Sequence, residues 1–259
     1  MSDPIVTLAV DGHVARLTIS RPERRNALNR RAVDELHEGI RGAAAAEVRV
    51  LVVTGADDQF CSGADLKELE DVGFTNALRL ALDDLAALRC PTVAAISGAC
   101  MGLGVQIALA CDLRLATPDA RFAVPVARLG LMVDHWTVQR LALLAGHSTA
   151  RWLLLTAEPV TGAHAHDVGF VHRLVEPGAD GPGVAVLEEA DRLAAHIAAL
   201  APLALRGSKF GLDLLERPGS EADPEGAYRS AFEAAWSSDD LVEGRRAFAE
   251  RRPPEFRGR

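Results

Sequence analysis

Two glycine-bearing stretches, "QFCSGADLKEL" at Gln59–Leu69 and "SGACMGLGVQ" at Ser97–Gln106, each follow an apolar run that reads as a strand and precede one that reads as a helix. At such a junction the first helical N–H groups have no intrahelical acceptor, and the helix dipole adds partial positive charge. Two such ends facing each other would hold a carbonyl oxygen as it gains negative charge. Removing one backbone-type donor of this kind from a hydrolase costs about 2.7–4 kcal/mol. A phosphate loop is the first competitor, but "GACMGLGV" lacks the terminal Gly-Lys-Ser/Thr. Gly102-Leu103-Gly104 also lacks the last glycine of a dinucleotide fingerprint. A membrane span is the second, since Pro91 to Cys111 carries no charge and approaches the roughly 20 residues a span needs. Gly98, Gly102 and Gly104 instead place a turn there. Either turn taken alone is also explained by a helix packing tightly on a strand.

Candidate acid–base groups are few. Asp134 in "GLMVDHW" stands among Leu131, Met132, Val133 and Trp136, an apolar setting that raises a carboxyl pKa and suits a base or a one-proton shuttle. An aspartate ahead of "HWTVQRLALLAG" is equally an N-cap. His135 either pairs with it or sits in the first turn of a surface helix. His164 and His166 in "TGAHAHDVGF" point to different sides of a helix and no third ligand follows, so no metal site is expected. Cys61, Cys90, Cys100 and Cys111 form no C-x-x-C pair and lie in or beside apolar stretches. They read as small buried hydrophobes.

The elements that must position these groups alternate. "IVTLAVDGHVARLTIS" reads as a β-hairpin with a primed turn around Asp11-Gly12. A helix over Arg30–Ala45, the strand "VRVLVVTG", a helix around Thr75–Leu88 and the strand "TVAAIS" follow, an α/β pattern of stacked β-β-α or β-α units. "DLRLATPDARFAV" suggests two short strands and "GFVHRLV" one more. "VEPGADGPGV" marks a turn or loop. Beyond Gly183 four segments carry helical periodicity: "VAVLEEADRLAAHIAALAP", "LALRGSKFGLDLLE", "GAYRSAFEAAW" and "SDDLVEGRRAFAERRPP". A helical tail with apolar faces and no strands of its own predicts a homo-oligomer.

The chain of 259 residues is 49% hydrophobic and 25% charged, a globular composition able to bury a large core. A net charge of -8 leaves no electrostatic footprint for nucleic acid or an anionic membrane surface. "MSDPIVTLAV" lacks a signal-peptide pattern, so a reduced, cytoplasmic protein is expected.

"RPERRNALN" at Arg21–Asn29, "FCSGADLKEL", "SGACMGLGVQIALACDLRLA" at Ser97–Ala116, and "RFAVPVARLGL" with "VQRL" together resemble the crotonase, or enoyl-CoA hydratase/isomerase, superfamily along nearly the whole chain. That resemblance implies a spiral of β-β-α units with a C-terminal helical region. It divides the chain into residues 1–182, a core binding acyl-CoA, and 183–259, helices for trimerisation and pocket closure. It implies a homotrimer or dimer of trimers, a coenzyme A thioester as ligand or substrate, and no permanently bound cofactor. The oxyanion hole would use the backbone N–H of Ala64 and Leu103. The CoA moiety would lie against Arg24, Arg25 and Ala27 and the segment Ala64, Asp65, Leu66, Lys67, with Lys209 a further phosphate candidate.

Family hydratases carry two glutamates where this chain has Gln106 and Val126. Hydration needs water activated at C3 and a proton delivered at C2, which a pair of carboxylates supplies. A glutamine amide can hold a water without taking its proton, and valine does neither. Hydratase turnover is therefore expected to be weak or absent. The remaining alternative is a one-base isomerase or related lyase using Asp134. "RPERRNALN", "GLMVDHW" and the ending "RRPPEFRGR" look most like a mycobacterial subgroup of non-catalytic members associated with the mycolic acid pathway. That likeness implies an actinobacterial source, an acyl-CoA carrier role and partners among fatty-acid or mycolic-acid pathway proteins.

Overall fold

The structure, a computed structural model, describes residues 3–66, 72–200, 202–216, 237–252 and 254. Strands β1 (Val6–Asp11) and β2 (Val14–Ile19) pair antiparallel from Val6↔Ile19 to Asp11↔Val14. The turn falls on Gly12-His13, one residue later than the Asp-Gly signal suggests, with Gly12 at φ 55. That backbone is accessible to glycine at little cost.

From β2 onward the first sheet is parallel. It adds β3 (Val50–Gly55), β4 (Thr92–Ile96), β6 (Leu113–Ala116) and β9 (Arg173–Leu174), in the order β1-β2-β3-β4-β6-β9. The intervening strands β5 (Ala99–Met101), β7 (Arg121–Ala123) and β8 (Val160–Thr161) form a second sheet, β5-β7-β8. The chain thus lays one strand in each sheet and then a helix. β4 and β5 lead to α3 (Leu103–Ala110), and β6 and β7 lead, through a 3₁₀ turn at Pro125–Leu129, to α4 (His135–Thr156). This is the expected β-β-α spiral, and parallel pairing requires such crossovers.

Strands β3 and β4 are buried on both faces, which accounts for their unbroken apolar sequence. Leu51 and Val53 face the main core, while Val50 and Val52 pack with Val93, Ala95 and Leu115 against Val186, Ala190, Ala194 and Ile197 of α6 (Pro182–Ala198). On the other side α1 (Arg30–Ala45) is capped by Asn29, whose side chain accepts the Ala32 N–H at 2.9 Å. It buries Ala32, Val33, Leu36, Ile40 and Ala43. Each large apolar side chain so withdrawn from water contributes about 1.5–3 kcal/mol. Helix α2 (Val72–Ala86) packs on α1.

Helices α5 (Gly162–Asp167), α7 (Pro202–Glu216) and α8 (Asp239–Glu250) complete the described elements. Neither α5 nor β8 was legible as periodicity, and α4 breaks at Gly146 (φ 78, ψ 151). The helix expected at "GAYRSAFEAAW" lies outside the described residues. The "VEPGADGPGV" segment is tied to the exposed turn after β3, where the Asp58 carboxylate accepts the Gly183 N–H at 2.7 Å. Among the described residues no helix is long and apolar enough to cross a membrane. All four cysteines are buried free thiols, and burial pushes Cys61 and Cys111 up to about 12.

Candidate functional site

A cavity of about 730 Å³ opens between the two glycine turns, α2 and the segment 125–134. Its volume is that of a small-molecule site. The turns are sewn together where they begin, by Cys61 N–H to the Ala99 carbonyl at 2.8 Å and Met101 N–H to the Cys61 carbonyl at 2.9 Å. They stay in contact where they end. A Cβ added to Gly63 would stand 3.9 Å from the Leu103 nitrogen, and one added to Gly102 would stand 3.8 Å from the Gly63 Cα. Gly102 holds φ 52 and ψ −108, which a side chain would strain. Gly104 is required for closeness instead, since a Cβ there would meet the Cys61 carbonyl at 2.3 Å.

The backbone amides of Ala64 and Leu103 stand at this junction. Ala64 bridges to Leu28 through its neighbours: Leu28 N–H donates to Gly63 at 2.8 Å and Asp65 N–H donates to Leu28 at 2.8 Å. In that pattern the N–H of Ala64 itself points away from Leu28. Leu103 opens α3, where a helical N–H has no intrahelical acceptor. Ala64 and Leu103 both line the cavity.

The cavity brings together Arg24, Arg25, Ala27, Ala64, Asp65, Leu66, Leu103, Gln106, Val126 and Asp134. Lys67 lies outside the described residues. Lys209 is not among the residues lining this cavity: it is buried, its ammonium 2.6 Å from Asp112 Oδ2 and 3.3 Å from the Cys90 carbonyl, and it ties α7 to the sheet. Asp65 is also committed within the protein, its carboxylate 3.1 Å from Arg21 Nη2. The loop carrying Arg24 and Arg25 is held by Asn26, fully buried at φ 58. Asn26 Nδ2 donates to the carbonyls of Ala56 (2.8 Å) and Gln59 (2.6 Å), and its Oδ1 accepts the Arg21 N–H at 2.8 Å. Nothing in the sequence pattern singles Asn26 out.

Asp134 caps α4. Its Oδ1 accepts the Thr137 N–H at 2.9 Å and its Oδ2 accepts the Thr137 hydroxyl at 3.0 Å. Its setting is not the apolar one expected, for the Arg79 guanidinium stands 3.8 Å away. Thr137 Oγ1 in turn accepts from Gln106 Nε2 at 3.0 Å, while Gln106 Oε1 is buried with no hydrogen-bond partner among the described residues. Arg79 is stacked on Trp136, 3.9 Å from the ring centroid. It lines the cavity beside Phe74, Leu78 and Leu82 on one face of α2. Sequence reading missed it; the available signal is a lone arginine interrupting an apolar helical face. Phe248 of α8 also lines the cavity, while His164 and His166 sit on α5, outside it.

A two-sheet β-β-α spiral with paired glycine turns over a cavity is the crotonase architecture. A family model described as enoyl-CoA hydratase/isomerase matches residues 10–259, and the chain belongs to that family. It is 38% identical over 246 residues to "Probable enoyl-CoA hydratase echA6" of Mycobacterium tuberculosis, covering 95% of this chain and 96% of that one. It is similar to an enoyl-CoA hydratase/carnithine racemase from Magnetospirillum magneticum at TM-score 0.77 and 29% identity, over 100% and 97% of the two chains. Methylmalonyl-CoA decarboxylase complexed with 2S-carboxypropyl-CoA shares the fold at TM-score 0.88 and 24% identity, over 100% of both chains.

Proposed function

We propose that this protein binds acyl-CoA thioesters in fatty-acid metabolism and has little or no hydratase turnover. The thioester carbonyl would accept from the Ala64 and Leu103 N–H groups, and the acyl chain would run along the face of α2 that carries Phe74, Leu78 and Leu82. Arg24 and Arg25 at the rim suit CoA phosphates, as charge-assisted donors. The solved relative holding a carboxypropyl-CoA in the same fold supports the ligand class.

The observation that carries the second half is the pair Gln106 and Val126, both on the cavity wall. Neither can take a proton from water or deliver one to C2, and losing one acid–base group typically costs about 10²–10⁴-fold. Steady-state hydration of crotonyl-CoA and longer 2-enoyl-CoAs should be near background. Turnover close to that of a two-glutamate hydratase would sink this reading. Calorimetry with palmitoyl-CoA should register binding, and its absence would leave only a structural or protein-binding role.

A one-base isomerase or lyase using Asp134 is the second reading, because Asp134 lines the same cavity. Its two oxygens already accept from Thr137, which weighs against it. Exchange of acyl α-protons with deuterium, present in the wild type and lost in Asp134→Asn, would restore it. A homotrimer or dimer of trimers is part of the proposal. The exposed Trp152 and Leu155 of α4 and Phe210 and Leu212 of α7 support it, and sedimentation velocity tests it.

A further inference from the structure

A second cavity, of about 390 Å³, is bordered by the C-terminal ends of α1 and α2 and by α7. Its volume also falls in the small-molecule range. It lies before the N-terminal ends of β3 and β4, whereas the cavity between the glycine turns opens beyond their C-terminal ends. The two share α2 and the segment after it: Leu78 and Leu82 line one, Asp84 and Arg89 the other.

The floor of this cleft is apolar, with Ile40, Val48 and Leu88 buried. Three arginines from three separate segments line it: Arg41 on α1, Arg89 ahead of β4 and Arg206 on α7. They outnumber its acids, Glu47 and Asp84, and the Asp84 carboxylate is engaged at 2.7 Å by His37 Nε2. None of the three guanidinium groups has an ion-pair or hydrogen-bond partner among the described residues.

Basic side chains near helix C-termini ordinarily cap the last carbonyls and offset the helix dipole. That role would show as guanidinium-to-carbonyl hydrogen bonds, and these three arginines make none among the described residues. Their charge also reaches inward. Burial raises the pKa of the Cys90 thiol at the cleft wall, and the positive charges of Lys209 and Arg206 oppose that rise. Two helix C-termini contribute about half a negative charge each and would by themselves favour a cation. The arginines reverse that preference.

We infer that this cleft is a second ligand site, for a phosphate-bearing anion. A guanidinium fork matches the oxygens of a phosphate group bidentately, and several forks suit a group with three or more such oxygens. One carboxylate would occupy a single fork. The apolar floor accommodates an organic portion, so inorganic pyrophosphate and a nucleoside diphosphate share the chemistry the cleft reads. The site is independent of the thioester reading.

The test is calorimetry of the full chain with pyrophosphate and with ADP, at low salt where screening is weak. An Arg24→Gln/Arg25→Gln background removes the arginines of the other cavity, and one binding site should remain in it. Adding Arg206→Gln or Arg89→Gln should weaken that site about tenfold, as loss of one charge-assisted hydrogen bond allows. Arg151→Gln, on α4 and outside the cleft, should leave it unchanged. Arg89 is exposed, so its variant decides the matter if Arg206→Gln disturbs α7. ADP binding at least as tightly as pyrophosphate assigns an organic phosphate; tighter pyrophosphate assigns the inorganic ion. Binding of neither probe, or equal weakening by Arg151→Gln and Arg89→Gln, overturns the inference.

Discussion

Asn26 does more for the site than its unremarked place in "RRNAL" suggests. It is fully buried, sits at positive φ, and ties the arginine-bearing loop to the carbonyls of Ala56 and Gln59. Asn26→Ala would remove a donor from both carbonyls and the acceptor of the Arg21 N–H, at a cost of about 1–3 kcal/mol in unfolding free energy. Urea denaturation measures that loss, and CoA affinity should fall with it as Arg24 and Arg25 lose their placement. Among single residues, those recognisable by type and position were legible: Gln106, Val126 and the Asp134 cap all stand on the cavity wall. Asn26 and Arg79 were not, because their meaning depends on partners 30 or more residues away or on another helix.

At the scale of elements, α3 is placed by the absence of a side chain. Gly104 lets it approach the Cys61 carbonyl. Gly104→Ala forces the helix outward, with a cost of about 1–3 kcal/mol for overpacking and a larger proportional loss of ligand binding, because Leu103 moves with the helix. Calorimetry alongside thermal melting separates the two effects. Long periodic elements were readable, α1 among them. The two-residue strand β8 carries too few positions for alternation to declare itself, while β9 falls within the strand read at "GFVHRLV". Which sheet each strand joins is likewise not in its own sequence; it follows from the order in which neighbours have already been laid down.

For the whole molecule, buried polar ties join segments distant in the chain. Lys209, Asp112 and Thr92 join α7 to the start of β4, with Asp112 Oδ2 accepting the Thr92 N–H at 2.7 Å and its hydroxyl at 2.9 Å. Lys209→Met breaks a largely buried ion pair and should destabilise by about 3 kcal/mol, read as a lower midpoint in urea. Acyl-CoA affinity should follow only as far as folding does, since Lys209 stands outside the cavity.

Glu35 ties α1 to β1 by accepting the N–H of Ile5 at 2.6 Å and of Val6 at 2.9 Å. Burial alone would raise its carboxyl pKa, but the bonds from Val6, Arg31 and Ile5 outweigh burial and hold it below its ordinary value. A depressed folded pKa means the stabilisation is complete above the unfolded value, near 4.3, and is lost as pH falls through the folded one. Glu35→Gln should therefore flatten the acid limb of the stability curve below about pH 4.5, measured by urea midpoints across pH.

Helix α8 lies on the 3₁₀ turn at Pro125–Leu129, so close that a Cβ on Gly244 would meet the Leu129 carbonyl at 2.3 Å, and its Phe248 reaches the cavity wall. The last described helix is thus part of the cavity's wall. On the proposed acyl-CoA reading, a shortened version ending before Ser238 would retain both glycine turns yet leave one flank of the acyl chain in water, and bound thioester should escape faster.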